Sequence, residues 1–543
     1  QGRVFERAGQ PEHVLFDERG KRMVLSDVIE QEKESLSTYQ SAARHGNGGL
    51  AGKMSPLIAS FKRSGMTAQD VALAAERMDP RSGLSKKIRD AAKIYAAYEE
   101  RMQGELADAE DAAREMCARM RRSGVLEGQR VFVYGFDMIT PAFAAELIHM
   151  AGLAKSVTLA VETDENSAAD GRLFAPVNFS LERLRALARE RGIPVAEERI
   201  TGELEAPEEI RFLEQNLFAF GGKSFEKAPG CVELRTASSM RREVHLAAAR
   251  MRTLAMAGED STEMAVVYPK GSGYAPLLAS ILPAYGLTPY IAEKRPASAH
   301  PLCRFVLSAL AVVAGGWRTS DIVDCVQSGM MGLAQEEIDS LCTYCETLDI
   351  RPGAFTRPFS YIREGTEEAL EKLNQIREKV DGPLQAFERA LASAERPDDM
   401  LDAIVNLLGD VHALETLEAM RVELEENGLA SEAQDCAQVW AALMETLDQM
   451  HTLLGERHVP VRLAMTLLES GLSALELSAL PPADGAVICG EIGNVRMGPI
   501  KTLWALGMND MQAAADGGLL SPDEQEEAER ITQATVAYTN HTI

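Results

Sequence analysis

From residue 300 to residue 480 apolar side chains recur at three- and four-residue spacing, and short strand signals stand only on either side of that block. Before it, 264–268 (MAVVY) and 289–292 (PYIA) read as strands, with a helix at 274–285 between them. After it, 485–492 (GAVICGEI) and 502–508 (TLWALGM) restore the strand signal. Strands alternating with helices of this length imply βαβ units and a parallel sheet. The layout therefore predicts one α/β domain interrupted by a helical insertion. A strand at 231–236 and a helix at 241–257 lead into it, and Gly315-Gly316, Pro352-Gly353, Pro358 and Gly382-Pro383 are expected to break the insertion into separate helices.

The first ~125 residues read as helical, with apolar spacing at Met23, Val24, Val28 and Ile29, at Leu57, Ile58 and Phe61, and at Ile88, Ala91, Ala92, Tyr95 and Tyr98. The run HGNGG at 45–49 is expected to be a loop between two of these helices. Next, 131–136 (VFVYGF) reads as a buried parallel strand, followed by a helix from Pro141 with Thr140 as its N-cap and a second strand at 156–164.

At roughly 100–200 residues per domain, 543 residues predict three or four compact units. The longest apolar runs, such as 305–314, are too short to span a bilayer. The chain starts at Gln1 with no charged n-region or cleavage site, which predicts no signal peptide and a piece of something longer. Eight cysteines without regular spacing suit a reducing cytosol, and Cys342 and Cys345 sit in a helical pattern as two core-facing thiols. The net charge of −26 argues against free-standing, non-specific DNA binding. Any DNA contact must be local or shared with a partner.

The stretch 212–220, FLEQNLFAF, resembles the Leu-Glu-Gln-Asn-Tyr-Arg run of UvrD-like superfamily 1 helicases, where the aromatic stacks on adenine and the arginine reaches the γ-phosphate. Here Leu217 and Phe218 hold those two places, and neither neutralises charge on a transferring phosphoryl group. The strand at 131–136 would end in Asp-Glu in a working helicase and ends here in Gly135 and Phe136. Asp137 reads as a turn or cap residue, and no glutamine follows Asp164. No Walker A sequence occurs in the chain.

Added to the interrupted layout, YGFDMITP (134–141), ASSMRREV (237–244), DSTEMAVVYP (260–269) and PYIAEKRPASAHPLCRFVLSAL (289–310) resemble the AddB family, subunits of bacterial AddAB helicase-nucleases. LWALGMND (503–510) and DGGLLSPDE (516–524) resemble that family's Leu-Gly-Val-Asn-Glu-Gly and Asp-Gly-Leu-Leu-Ser runs, with Asp510-Met511 in place of Glu-Gly. The resemblance spans essentially the whole chain. It implies an α/β fold with two RecA-like helicase-type parallel-sheet domains, the first incomplete at its N-terminus, and large all-helical insertions. The corresponding divisions are a helical subdomain at 1–125, the rest of the first RecA-like domain at 126–228, the second at 229–299, a helical insertion at 300–482 and a return segment at 483–543.

The resemblance further implies a cytoplasmic heterodimer with an AddA-type motor subunit, acting on duplex and single-stranded DNA in double-strand-break repair by homologous recombination. The family's own helicase-like core is inactive as a motor and recognises a hotspot sequence in single-stranded DNA. The full family complex is an ATP-dependent deoxyribonuclease, a hydrolase that uses ATP, magnesium and an iron–sulfur cluster. Its nuclease and P-loop-like segments lie outside the matched region, so no catalytic, metal or cofactor residue is assigned here.

Residues placed to meet DNA phosphates from loop edges are Arg241 and Arg242, Lys294 and Arg295, and Arg496. Trp317 beside Arg318, just after Gly315-Gly316, offers an indole for stacking on an unpaired base, against the plainer reading of a helix-packing tryptophan. Solvated surface charge is the plainer reading of the basic pairs. Two other functions stay open: an active superfamily 1 helicase truncated before its Walker A motif, and a purely structural docking subunit.

Overall fold

A computed structural model describes residues 2–528 except 12, 46, 105, 137, 164–173, 201–205, 218–222, 229, 293–294, 349, 352, 363–365, 478–484, 510–518, 522–523 and 525–526. The fold is α/β, dominated by helices, with its longer strands in parallel sheets. No helix among the described residues is long and apolar enough to cross a membrane.

The N-terminal helices start where side chains cap them. Asp17 accepts from the Arg19 and Gly20 amides ahead of Glu18–Glu32. Thr67 and Asp70 form a capping box on Ala68–Arg77, and Asp108 and Asp111 form one on Ala109–Ser123. The expected loop at 45–49 is shorter than the sequence suggests, because the helix Asn47–Arg63 takes in Gly48 and Gly49. A Cβ on Gly48 would stand 3.1 Å from Ser470 Oγ, so the glycine lets another helix pass close by. Two short strands, β1 (Val14–Leu15) and β2 (Leu106–Ala107), pair in parallel beside these helices.

The next sheet has two parallel strands, β3 (Arg130–Val133) and β4 (Ser156–Leu159), with Val131 opposite Val157. Both are shorter than expected, and β3 is not the buried strand its apolar run suggests, since Phe132 is exposed; it stops before Gly135, which adopts a left-handed φ of +79°. The helix Pro141–Ala151 begins as the sequence predicts, with Thr140 Oγ1 accepting from the Phe143 amide. Its Ala144 and Leu147 pack on Val133, Val157 and Leu159.

A four-stranded, all-parallel sheet follows, in the order β10 (Thr502–Ala505), β5 (Met264–Tyr268), β9 (Ala486–Glu491), β6 (Thr288–Ile291). Every residue of β5 is buried, which explains its unbroken apolar run. The helices Met240–Met256 and Tyr274–Ile281 cover one face, sharing a core with Met264, Val266 and Tyr268. The strand expected at 231–236 does not form. That segment carries no regular secondary structure and its side chains are exposed, since strand-like alternation holds a strand only where a neighbour packs on it.

The helical insertion leaves and re-enters the sheet domain through an antiparallel pair, β7 (Arg295–Pro296) with β8 (Glu476–Leu477). Gly316, with φ +70°, ends the helix Pro301–Gly315 as predicted. Gly382-Pro383 does not break its helix: Glu367–Ser393 is continuous, held by Val380, Leu384 and Phe387 in the core. One apolar cluster takes in Met23, Val28 and Ile29 from the N-terminal helices and Leu467, Leu468 and Leu472 from Val461–Ala474. The close approach of Glu18–Glu32 to Val461–Ala474 uses small residues: Ser26 and Ser470 hydroxyls meet at 2.6 Å, and a Cβ on Gly471 would stand 3.2 Å from Met23.

Candidate nucleic-acid interface

In open parallel sheets, ligands bind outside the carboxyl ends of the strands, where loops and helix N-termini converge. Here the helix Met240–Met256 starts at that edge, capped by Ser239. Its Glu243 joins two further loops: Oε1 accepts from the Gly507 amide (2.9 Å) beyond β10, and Oε2 from the Tyr274 hydroxyl (2.5 Å) beyond β5. Burial and the Glu243 carboxylate both push the Tyr274 hydroxyl's pKa above its ordinary value, so it stays a donor. At the end of β9, Glu491 accepts from the Gly271 amide (2.8 Å) and from Asn494 Nδ2 (3.0 Å).

Both carboxylates at the rim are thus engaged in holding loops. Two glycines make this closeness possible. A Cβ on Gly507 would lie 2.9 Å from Tyr274 Cε2, and one on Gly490 would lie 2.6 Å from Val495 Cβ.

Around this scaffold Arg241, Arg242, Lys270 and Arg496 are exposed, and none of them has an ion-pair partner among the described residues. Exposed Met240, Ile492, Met497 and Met508 lie along the same loops. In a chain of net charge −26, a rim of unpaired cations interleaved with adaptable apolar side chains suits a flexible polyanion with apolar faces.

The structure sorts the residues expected from sequence. Arg241 and Arg242 open the helix Met240–Met256 and Arg496 lies in the loop after β9, on elements at this rim, while Lys294 lies outside the described residues. Arg295 is committed elsewhere, with Nη1 3.2 Å from Asp435 and Nη2 3.0 Å from Glu432 of the helix Ala430–Leu454. An exposed indole at Trp317 is not what forms. Trp317 is 4% exposed and stacks on Phe355 at 6.5 Å between ring centroids, so its face is not open to a base. Arg318 belongs to the insertion and pairs with Asp321 at 2.9 Å.

The sequence reading missed Lys270, Glu243, Tyr274, Glu491 and Gly507. The run Lys270-Gly271-Ser272-Gly273 between a strand and a helix was the available signal for the first of these.

At the end of β3, Phe136 rests against Phe143, with ring centroids 5.0 Å apart. An aromatic pair offers no oxygen ligand for magnesium. Leu217 ends the helix Glu208–Asn216 and is exposed, and Phe218 and Asp137 lie outside the described residues. Burial pushes the Cys303, Cys325, Cys345 and Cys489 thiols up to about 12, which keeps them protonated. No grouping of three metal-ligating side chains occurs among the described residues.

Comparison with known proteins bears directly on this arrangement. Residues 2–214 match the family model of the ADDB N-terminal domain. That region of the chain is therefore similar to the N-terminal domain of AddB. Similarity to AddB extends further: the chain is 26% identical, over 96% of its length, to the AddB-type ATP-dependent helicase/deoxyribonuclease subunit of Bacillus cereus. It is 27% identical over 96% to that of Bacillus mycoides, and 26% over 96% to that of Bacillus anthracis. The chain spans about half the length of these relatives, 48% of each. The AddB family model ends before the four-stranded sheet, so the cationic rim lies in the region that only the full-length relatives cover.

Proposed function

We propose that this chain is the helicase-like, motor-inactive part of a DNA-end-processing helicase–nuclease that acts in double-strand-break repair by homologous recombination. It holds single-stranded DNA along the carboxyl edge of its parallel sheet and takes part in reading a hotspot sequence there. An AddA-type subunit supplies the motor and engages the duplex. The observation that carries the reading is the rim of Arg241, Arg242, Lys270 and Arg496, cations without carboxylate partners among the described residues. Unpaired cations on converging loops track a phosphate backbone, and the subunit names of the relatives supply the setting.

On this reading ATP, magnesium and the iron–sulfur cluster belong to other parts of the cytoplasmic complex. Phe136 and Leu217 support motor inactivity because neither side chain stabilises a transferring phosphoryl group. The test is ATP hydrolysis by the full-length protein, with and without single-stranded DNA and in the absence of its partner subunit. Retained DNA binding without turnover is expected. DNA-stimulated turnover would replace this reading with an active helicase.

A further inference from the structure

Residues 77–93 hold six basic side chains and two acidic ones, in a chain whose net charge is −26. They run from the end of the helix Ala68–Arg77, through the turn that follows it, into the first half of the helix Gly83–Met102. Both acids serve the backbone. Asp90 is fully buried and accepts from the Ser37, Thr38 and Tyr39 amides at 3.0, 2.6 and 3.2 Å, and Asp79 accepts from the Arg81 amide at 2.9 Å. Of the basic side chains, Lys87 pairs with Glu524 and Lys93 donates to the Ser35 carbonyl. Arg77, Arg81, Lys86 and Arg89 are exposed and pair with no carboxylate among the described residues, the neighbouring Glu76 and Asp79 included. We propose that this helix corner is a second DNA site, separate from the sheet rim, that holds the phosphate backbone of duplex DNA.

The corner is rigid. Ser82 caps Gly83–Met102 by accepting from the Ser85 amide, and the Ser85 hydroxyl donates to the Ala75 carbonyl of the preceding helix at 3.1 Å. Leu84, Ile88, Ala91 and Ala92 lie in the core with Val71 and Ala75. With that face turned inward, Lys86 and Arg89 stand about one turn apart on the outer one. Cations fixed in this way suit a stiff ligand, and duplex DNA stays straight over about 150 base pairs.

What the corner lacks separates it from the rim. Met240, Ile492, Met497 and Met508 interleave with the rim cations, whereas from 74 to 131 no large apolar side chain is exposed among the described residues. The corner therefore meets phosphates and offers no surface to unpaired bases. A duplex carries one charge per roughly 1.7 Å of its axis, so a site of cations alone favours it over a single strand. Contact of this kind is independent of sequence.

The test uses the chain with Arg241, Arg242, Lys270 and Arg496 changed to alanine, so that the rim makes no contribution. A labelled blunt-ended duplex is titrated at salt concentrations from about 50 to 200 mM. Four phosphate contacts at about −0.9 each should give a slope of log affinity against log salt between about −3 and −4. Adding Arg77→Ala, Arg81→Ala, Lys86→Ala and Arg89→Ala should abolish that slope and weaken binding at least about tenfold at the lowest salt, with the melting temperature kept. Arg77→Lys, Arg81→Lys and Arg89→Lys together retain the charge and should retain the slope. Absence of duplex binding at the lowest salt, or equal slopes with and without the four corner cations, overturns the site. Competition by unlabelled single strand as effective as by unlabelled duplex overturns its assignment to duplex DNA.

Discussion

Lys62 Nζ sits 2.6 Å from Asp108 Oδ2, with both side chains 1% exposed. The same ammonium reaches Asp111 and Glu99 at 2.9 Å each, and the Tyr98 hydroxyl donates to Asp108 at 2.8 Å. This cluster ties helix Asn47–Arg63 to the cap of Ala109–Ser123. Lys62→Met leaves a buried, unpaired carboxylate and should cost about 3–5 kcal/mol, read from denaturant unfolding.

The two aspartates of that cluster respond to pH in opposite senses. Burial works against the Asp108 charge, but the adjacent Lys62 outweighs it and holds this carboxyl well below the usual range. Burial and the Asp108 charge push Asp111 upward. Asp108 therefore contributes stability above the ordinary aspartate pKa of about 3.9, and loses it as pH falls through its depressed value. The raised Asp111 favours folding only while protonated. At neutral pH Asp108→Asn should lower the melting temperature, whereas Asp111→Asn, which keeps an acceptor for the cap and removes a charge that folding disfavours, should leave it unchanged or raise it.

His300 gives a second pH signature. Burial lowers its pKa to about 4. Its Nδ1 accepts from the Leu302 amide at 3.2 Å, and its Nε2 lies 3.5 Å from Cys436 Sγ. A proton on Nδ1 would face a donor. The unfolded chain takes up that proton near the ordinary histidine value of about 6.5, so stability should fall as pH drops from there toward the folded value. The window corresponds to on the order of 3 kcal/mol. His300→Asn should flatten the dependence of unfolding free energy on pH across it.

Trp317 and Arg295 separate stability from DNA contact. Trp317→Ala removes a buried, stacked indole and should cost about 3–5 kcal/mol. Arg295→Ala breaks partly exposed pairs with Glu432 and Asp435 worth about 0–1 kcal/mol. In variants that remain folded, neither change should alter the salt dependence of single-stranded DNA binding, measured by fluorescence anisotropy.

Gly507 is held at φ +69° against Tyr274 and Pro269. Gly507→Ala adds left-handed strain and overpacking, together about 2–4 kcal/mol. Thermal unfolding should show that loss, and DNA affinity should fall with it because the Glu243 contact to the loop is displaced.

What was legible in the sequence was local. The β5 run MAVVY announced a strand and Thr140-Pro141 a helix start, because each pattern records its own surroundings, whereas the apolar run at 131–136 suggested a buried strand and β3 is half-exposed. Gly48-Gly49 and Gly382-Pro383 were misread as breaks because tertiary packing overrides their weak helix preference. The strand expected at 231–236 depended on a neighbour the pattern could not supply. Arg241, Arg242 and Arg496 were found as basic residues near strand ends. Their supports were not, since Glu243, Tyr274 and Gly507 meet across distant parts of the chain.

The most direct measurement is a titration of labelled single-stranded DNA into this chain at salt concentrations from about 50 to 200 mM, repeated with Arg241, Arg242, Lys270 and Arg496 all changed to alanine. Each phosphate contact should contribute about −0.7 to the slope of log affinity against log salt. The unmodified rim should thus give a slope of about −3, which the variant loses while keeping its melting temperature. Equal slopes and affinities for the two proteins would contradict DNA binding at the rim.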